Sequence, residues 1–318
     1  MTGMLAYVAK RILLTLPTML FVSIISFSLV FLAPGDPAEV LLTSPQGSPS
    51  PGVIEEYRVR MGFDQPVYIQ YIRWLNNVLH GDLGYSFMSE KPVADTIMRC
   101  FQATLKLSIV SIIISVIVSI PLGILAAVKN NTIIDDFCRL GALLGVSIPN
   151  FWQAFLLIML FSIHLDWLPV AGYGNGGDLV HMILPAAVLG TSSAAVTTRL
   201  MRSSLLEALN QDYTVTARAK GLPERLVIGK HALKNALIPV VTMLALSLGF
   251  LLNGAVVVEW IFGWPGIGDL VVDSIYSRDY TMIQGSILFT SLIFVTLNVI
   301  VDISYTYLDP RIRYETLD

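Results

Sequence analysis

Six apolar stretches run through this chain, each long enough to cross roughly 30 Å of hydrocarbon: Ile12 to Ala33, Leu107 to Val128, Leu140 to Ile163, Ile183 to Leu200, Ala236 to Val258 and Met282 to Val301. A bilayer offers no hydrogen bonds, so a spanning segment must satisfy its own backbone, and a helix does this within one stretch of chain. The expectation is an all-α membrane protein with six transmembrane helices. Charge content supports it: 14% of residues are charged and 54% hydrophobic, whereas a soluble domain carries roughly a quarter charged residues to cover its surface.

The fourth stretch is short and rich in small and hydroxyl residues, among them Ala186, Gly190, Ser192, Ser193, Ala194 and Thr197. That suits a helix packed among neighbours better than one facing lipid. Pro121 and Pro185 fall inside spans, where neighbouring helices can satisfy the freed carbonyls. The first stretch follows Lys10 and Arg11 as a signal peptide would, but it outruns a signal h-region and ends in Ala33-Pro34-Gly35-Asp36. It is expected to stay as an anchor.

Six spans put both termini on one side. With the termini inside, the inner segments hold Lys10, Arg11, Lys129, Arg139, Arg199, Arg202, Arg218, Lys220, Arg225, Lys230, Lys234, Arg311 and Arg313, and all outer cations but Arg278 fall in one long loop that the positive-inside rule exempts. Both termini are therefore expected in the cytoplasm. The chain divides into an N-terminal tail with the first span (1–33), an extracytoplasmic loop region (34–103), a transmembrane core (104–308) and a short tail (309–318). The outer region opens with a Pro/Ser/Gly linker from Thr43 to Gly52. It continues into an amphipathic helix marked by Tyr68, Tyr71, Ile72, Leu75, Val78 and Leu79, which would either pack on the span ends or meet an external partner.

The inner loop 203–235 is the second long polar segment. A helix beginning at Leu205 is expected to run through Tyr213 and Lys220 to a left-handed stop at Gly221. Pro223 and Glu224 then start a second helix, with Lys230, His231 and Lys234 near its end. Small residues at this elbow would let another protein approach the backbone. A solvated basic loop beside anionic lipid is the alternative.

Other polar residues admit two readings each. Ser192, Ser247 and Asn253, with Thr191 and Thr197, could line a polar path or serve as helix-helix glue. Glu259, at the outer end of the fifth span, could belong to that path or simply reach water, and Asp302 near the inner end of the sixth is read alike. Cys100 and Cys138 are far apart and form no disulfide framework. The four histidines are scattered, and no metal site is expected. No phosphate-binding Gly-x-x-x-x-Gly-Lys-Ser/Thr run occurs, so any ATP hydrolysis belongs to another chain. Gly266-Ile267-Gly268-Asp269 has the look of an intramembrane aspartyl protease motif, but the second aspartate that such chemistry needs is missing. A secondary transporter or channel would carry a buried acid or base mid-span, which these stretches lack.

The run Asp212-Tyr213-Thr214-Val215-Thr216-Ala217-Arg218-Ala219-Lys220-Gly221-Leu222, followed by His231 to Pro239, resembles the "EAA" loop of ABC importer permeases, and more narrowly of the dipeptide/oligopeptide/nickel family. Gly35-Asp36-Pro37, Gly62-Phe63-Asp64-Gln65-Pro66, Gly81 to Ser86, Pro149-Asn150-Phe151-Trp152, Glu259 to Gly268, Arg278-Asp279-Tyr280 and Asp309 to Arg313 extend the likeness along nearly the whole chain. Thr214 and Val215 stand where a Val-Arg pair is usual, and Thr281 where Pro is frequent.

The resemblance implies a non-catalytic permease subunit in the cytoplasmic membrane of a bacterium or archaeon. Its implied partners are a homologous second permease, two ABC ATPase subunits that bind ATP and Mg, an external solute-binding protein and membrane lipid, with no nucleic acid and no cofactor on this chain. Asp212, Tyr213, Ala217, Arg218, Ala219, Gly221 and Leu222 would then form the ATPase-coupling surface. Small peptides are the implied cargo, with nickel or a metal chelate as the alternative.

Overall fold

The computed structural model describes residues 2–32, 50–86, 88–252 and 255–308. Gly35-Asp36-Pro37, the linker up to Pro49, Asn253, the side chain of Asp302 and the Asp309 to Arg313 motif lie outside the described residues. The helices are α1 (Thr2–Leu32), α2 (Pro51–Met61), α3 (Val67–Leu79), α4 (Val93–Val128), α5 (Ile133–Ser147) and α6 (Asn150–His164). They continue with α7 (Leu179–Leu209), α8 (Asp212–Ala219), α9 (Glu224–Leu252), α10 (Val256–Phe262), α11 (Ile267–Tyr276) and α12 (Tyr280–Leu308). Among the described residues the chain is helical with no named strand, as the apolar stretches predict.

Four helices, α4, α7, α9 and α12, are individually long and apolar enough to cross a membrane. The third predicted span is not one straight helix. α5 and α6 reach spanning length only together, and they meet at 102°. The cause is local: Pro149 disfavours helical backbone at the residue before it, and Ile148 is extended at φ −81°, ψ 120°. The fifth span also stops early, since α9 ends at Leu252 and Val256 to Val258 belong to the separate α10. α1 contributes an apolar run over Leu13–Leu29.

The centre of the bundle is the pairing of α4 with α7. Ser111, Ser115, Ser119 and Gly123 recur every four residues on α4 and are buried, which puts a strip of small side chains on one helix face. α7 answers with Gly190, Ala194 and Thr198, as its composition predicts. The approach is close enough that a Cβ added at Gly190 would lie 2.8 Å from the Ser111 carbonyl oxygen and from Ile114, and one at Gly123 would lie 2.5 Å from Met201. Without a hydrophobic drive between helices in lipid, such close backbone packing is what holds them together.

Two apolar clusters close the bundle at its ends. At one end Ala127, Met201, Leu205, Ala208, Ala232, Ala236 and Val240 join α4, α7 and α9. At the other, Ala103, Leu107, Ile158, Leu184, Phe262 and Trp264 join α4, α6, α7 and the loop after α10. The predicted amphipathic helix is present as α3. It leans on α1 through Phe27, Tyr71 and Trp74, whose ring centroids lie 5.4 to 6.1 Å apart, and through a 2.8 Å hydrogen bond between Ser23 and Tyr71.

Gly190→Val is expected to overpack the α4–α7 contact and cost about 1–3 kcal/mol, read as a lower unfolding temperature in detergent. Gly141→Val is the matched control, because nothing lies within 4 Å of its added Cβ.

Candidate functional site

The loop between α7 and α9 is folded more tightly than its sequence suggests. α7 does not run on to Gly221. It ends at Leu209, the chain turns at Asn210 and Gln211, and α8 starts afresh. Thr214 makes this turn stable: its buried hydroxyl is placed to donate to the carbonyls of Gln211 at 2.6 Å and Leu209 at 2.9 Å, taking up acceptors that the end of α7 leaves open. Arg218 locks the other side. Its guanidinium donates to the Leu209 carbonyl at 3.1 Å and, through two nitrogens, to Glu224 at 2.8 and 3.1 Å, bracing α8 between α7 and the start of α9.

Gly221 has φ +77°, the left-handed stop expected for it. Its N–H bonds the Arg218 carbonyl, and that of Leu222 reaches Ala217. No separate second helix follows, because Glu224 opens α9 and the chain passes through a π-helical run at Val227–Ala232 straight into the span. Lys230, His231 and Lys234 therefore sit on the shaft of a long helix rather than near an end.

The predicted loop residues divide into two faces. Thr214 and Ala217 turn inward and are buried, so Ala217 supports α8 and presents no surface. Asp212, Tyr213, Val215, Thr216, Arg218, Ala219 and Gly221 are exposed, and Leu222 is half-buried. At the departures from the family pattern, Thr214 serves the turn and Val215 lies in the open.

Beside this loop is an ion pair that the sequence did not announce. Asp135, wholly buried at the start of α5, accepts from Arg202 Nε at 2.6 Å and Nη2 at 2.7 Å. The Asn131 N–H also reaches Asp135, and Asn130 accepts from Arg202. The last turns of α7 are thereby tied to the α4–α5 corner.

At the far end, Glu259 does not reach water. It is wholly buried, accepting from the Thr104 hydroxyl at 2.7 Å and from the N–H groups of Gly268 at 2.7 Å and Asp269 at 3.4 Å. An acidic side chain at a helix N-terminus is well placed for both its charge and the free amides there. Gly266 and Gly268 are required because a Cβ on either would fall within 2.7 Å of the carboxylate. The resemblance to a protease motif thus has a packing explanation. Trp264 completes the clasp by donating to the Ala103 carbonyl at 3.0 Å. Burial pushes Asp269 up to about 6, with Asp273 adding like charge. Ser192 on α7 and Ser247 on α9 are half-buried, and neither shares in the Glu259 clasp.

The family described as "Binding-protein-dependent transport system inner membrane component" matches residues 119–314, and its N-terminal counterpart matches residues 4–108. The chain belongs to this permease family. Curated relatives agree along the full length. The glutathione transport system permease protein GsiC of Escherichia coli O6:H1 (strain CFT073) is 46% identical, over 98% of this chain and 100% of the relative. Its counterparts in E. coli K12 and Shigella flexneri serotype 5b are 45% identical over the same shares. Among solved structures, the MetNI methionine ABC transporter in inward-facing conformations aligns with a TM-score of 0.55 at 17% identity, over 67% of this chain and 96% of that one. An amino acid ABC transporter aligns at 0.52 and 15% identity, over 65% and 92%. At such identities these neighbours speak for the fold alone. Members of the permease family are non-catalytic, multi-pass inner-membrane subunits of ABC importers, and the all-helical bundle agrees.

The serine strip on α4 was missed in the sequence, although its four-residue repeat of small residues is a signal that could have found it. The Asp135–Arg202 pair carried no sequence signal, being 67 residues apart.

Asp135→Asn should leave Arg202 without its charge partner and lower permease stability by about 3–5 kcal/mol, with Asp135→Leu/Arg202→Met recovering most of it, as thermal unfolding will read. For Asp269, a pKa held above its ordinary value means the folded state favours the protonated form, so its contribution to stability falls as pH rises from about 4 through 6. Hydrogen-exchange protection across α10 and α11, taken relative to the intrinsic rate at each pH, should be greater near pH 5 than near pH 7.5, and Asp269→Asn should shrink that difference.

Proposed function

We propose that this permease subunit, with a homologous partner, forms the membrane pathway of an ATP-driven importer of small peptide-like solutes, and that α8 with the Gly221 elbow is the seat of the ATPase. The observation that carries the coupling role is the bracing of α8. Thr214 and Arg218 fasten it to the ends of two long helices, so a push on its exposed face moves α7 and α9 as one body. The exposed contact positions are Asp212, Tyr213, Ala219 and Gly221, with Arg218 holding the helix in place and Leu222 at the elbow. ATP binding closes a pair of ATPases, the docked elbow follows, and the bundle exchanges an outward for an inward opening.

The distribution of lysine and arginine puts this loop and both termini in the cytoplasm. An external binding protein delivers the cargo on the opposite side, where α3 and the α10–α11 hairpin lie. Cargo class rests on the relatives: several are named for the transport of glutathione, a tripeptide, which favours peptides over nickel.

The test is ATP-dependent uptake by the complete transporter in proteoliposomes, with its cognate binding protein and labelled glutathione, dipeptide, oligopeptide or Ni²⁺. Peptide uptake that stops without ATP is expected; uptake of Ni²⁺ alone would overturn the cargo reading. Gly221→Trp should insert normally yet cut uptake at least about tenfold while ATP hydrolysis continues, a loss of the coupling free energy between the two sites. Gly221→Asn, which tolerates the left-handed backbone, should be milder. Normal transport by the Trp variant would refute the elbow assignment.

A further inference from the structure

A concavity of about 1020 Å³ opens between α5 and α7 at the end of the bundle that carries the coupling loop. Its walls are apolar, built from Leu140 and Leu143 on α5 and Val196 and Leu200 on α7, yet three guanidinium groups reach it. These three are not equivalent. Arg202 is held by Asp135 in two short hydrogen bonds, so its charge is matched and its role is to fix the wall. Arg139 is only loosely matched, with Asp136 at 3.6 Å in an exposed pair. Arg199 is exposed and, among the described residues, has no hydrogen bond or ion pair. The chamber therefore holds positive charge that the chain does not neutralise, set against low-dielectric walls that strengthen its field.

Ser192, Val196, Arg199 and Ser203 follow one another at spacings of four, three and four, the repeat of a single helix face. The face that bears Arg199, exposed at Ser203, Arg199 and Val196, thus continues along α7 to half-buried Ser192 near its middle.

From this placement we propose that Arg199, assisted by Arg139, is a way-station for the carboxylate of a solute in transit, which makes the pathway selective for peptides with a free acid terminus. A guanidinium presents its donors in a fork that fits a carboxylate. A lipid phosphate would need only the rim of the chamber, whereas the stripe runs from exposed Ser203, Arg199 and Val196 along α7 to half-buried Ser192 at mid-helix, as the route of a travelling solute does. This inference rests on the peptide-importer reading.

The test uses the complete transporter with its binding protein in proteoliposomes, comparing ATP-driven uptake of one tripeptide as the free acid and as the C-terminal amide. Each variant is normalised to the unaltered protein for the same peptide. Arg199→Gln should lower uptake of the acid about tenfold, the scale of one charge-assisted hydrogen bond, and leave the amide within about twofold. Arg139→Gln should do the same more weakly, and Arg199→Lys, which keeps the charge but loses the fork, should fall between Arg199→Gln and the unaltered protein. Equal loss for both peptides, or none for either, would overturn the proposal. Vesicles of phosphatidylcholine alone are compared with vesicles containing phosphatidylglycerol. A defect that follows lipid charge and ignores the peptide terminus would assign the site to a headgroup and overturn it as well. Absence of ATP-driven uptake of either peptide by the unaltered transporter would instead remove the peptide-importer reading, a result distinct from a variant that transports without discriminating.

Discussion

Helices in lipid gain nothing by hiding apolar surface from one another, so this bundle is held where backbones come close enough for dense packing. The α4–α7 contact is the place where that happens most fully. Serine and glycine every four residues on α4 meet glycine, alanine and threonine on α7, and side chains one carbon larger at Gly123 or Gly190 would not fit. Two of the hydroxyls in the strip find partners, while that of Ser119 is buried with none among the described residues. Ser111 returns its proton to the Leu107 carbonyl, and Ser115 meets Ser193. Once this pair is set, the remaining spans have a fixed surface to pack on.

The same pair explains how the two ends of the molecule can communicate. α7 runs from its cap at Asp178 to Leu209, and its last turns share one apolar cluster with α4 and α9. The short α8 is fastened to α7 by Thr214 and Arg218, and α5 is fastened to α7 by Asp135 and Arg202. Any displacement of α8 would thereby be passed to α5, α7 and α9 together. At the opposite end the α10–α11 hairpin is clasped to α4 through Glu259, Thr104 and Trp264. The helix that begins at one clasp ends beside the other, which is a suitable frame for exchanging access between two sides of a membrane.

The family relationship and the physical reading complement each other. Full-length identity of about 45% to glutathione permeases establishes the kind of protein and leaves the residue roles open. Those roles come from which groups are buried, paired or exposed. Ala217 illustrates the difference. It lies within the family's loop pattern, but its methyl group faces the protein's own interior, where it lets α8 sit close to its neighbours.

Hydropathy is a sum of residue transfer energies, and with composition and periodicity it was enough to foresee the all-helical membrane class, the amphipathic α3 and the small-residue character of α7, while helix-stop chemistry foresaw the left-handed glycine at 221. It carries no information about direction, so it read through the corner at Pro149, the turn after Leu209 and the separate start of α10 at Val256, where the composition stays apolar or helix-compatible. It also lets a charge near a span end reach water, and of the two readings of Glu259 that one fails, because the folded chain encloses it with donors from α4 and α11. Asp135 and Arg202 were equally invisible as a pair. Their partnership exists only because α4 and α7 pack, and a contact made by the packing of helices distant in sequence is decided by the tertiary structure alone.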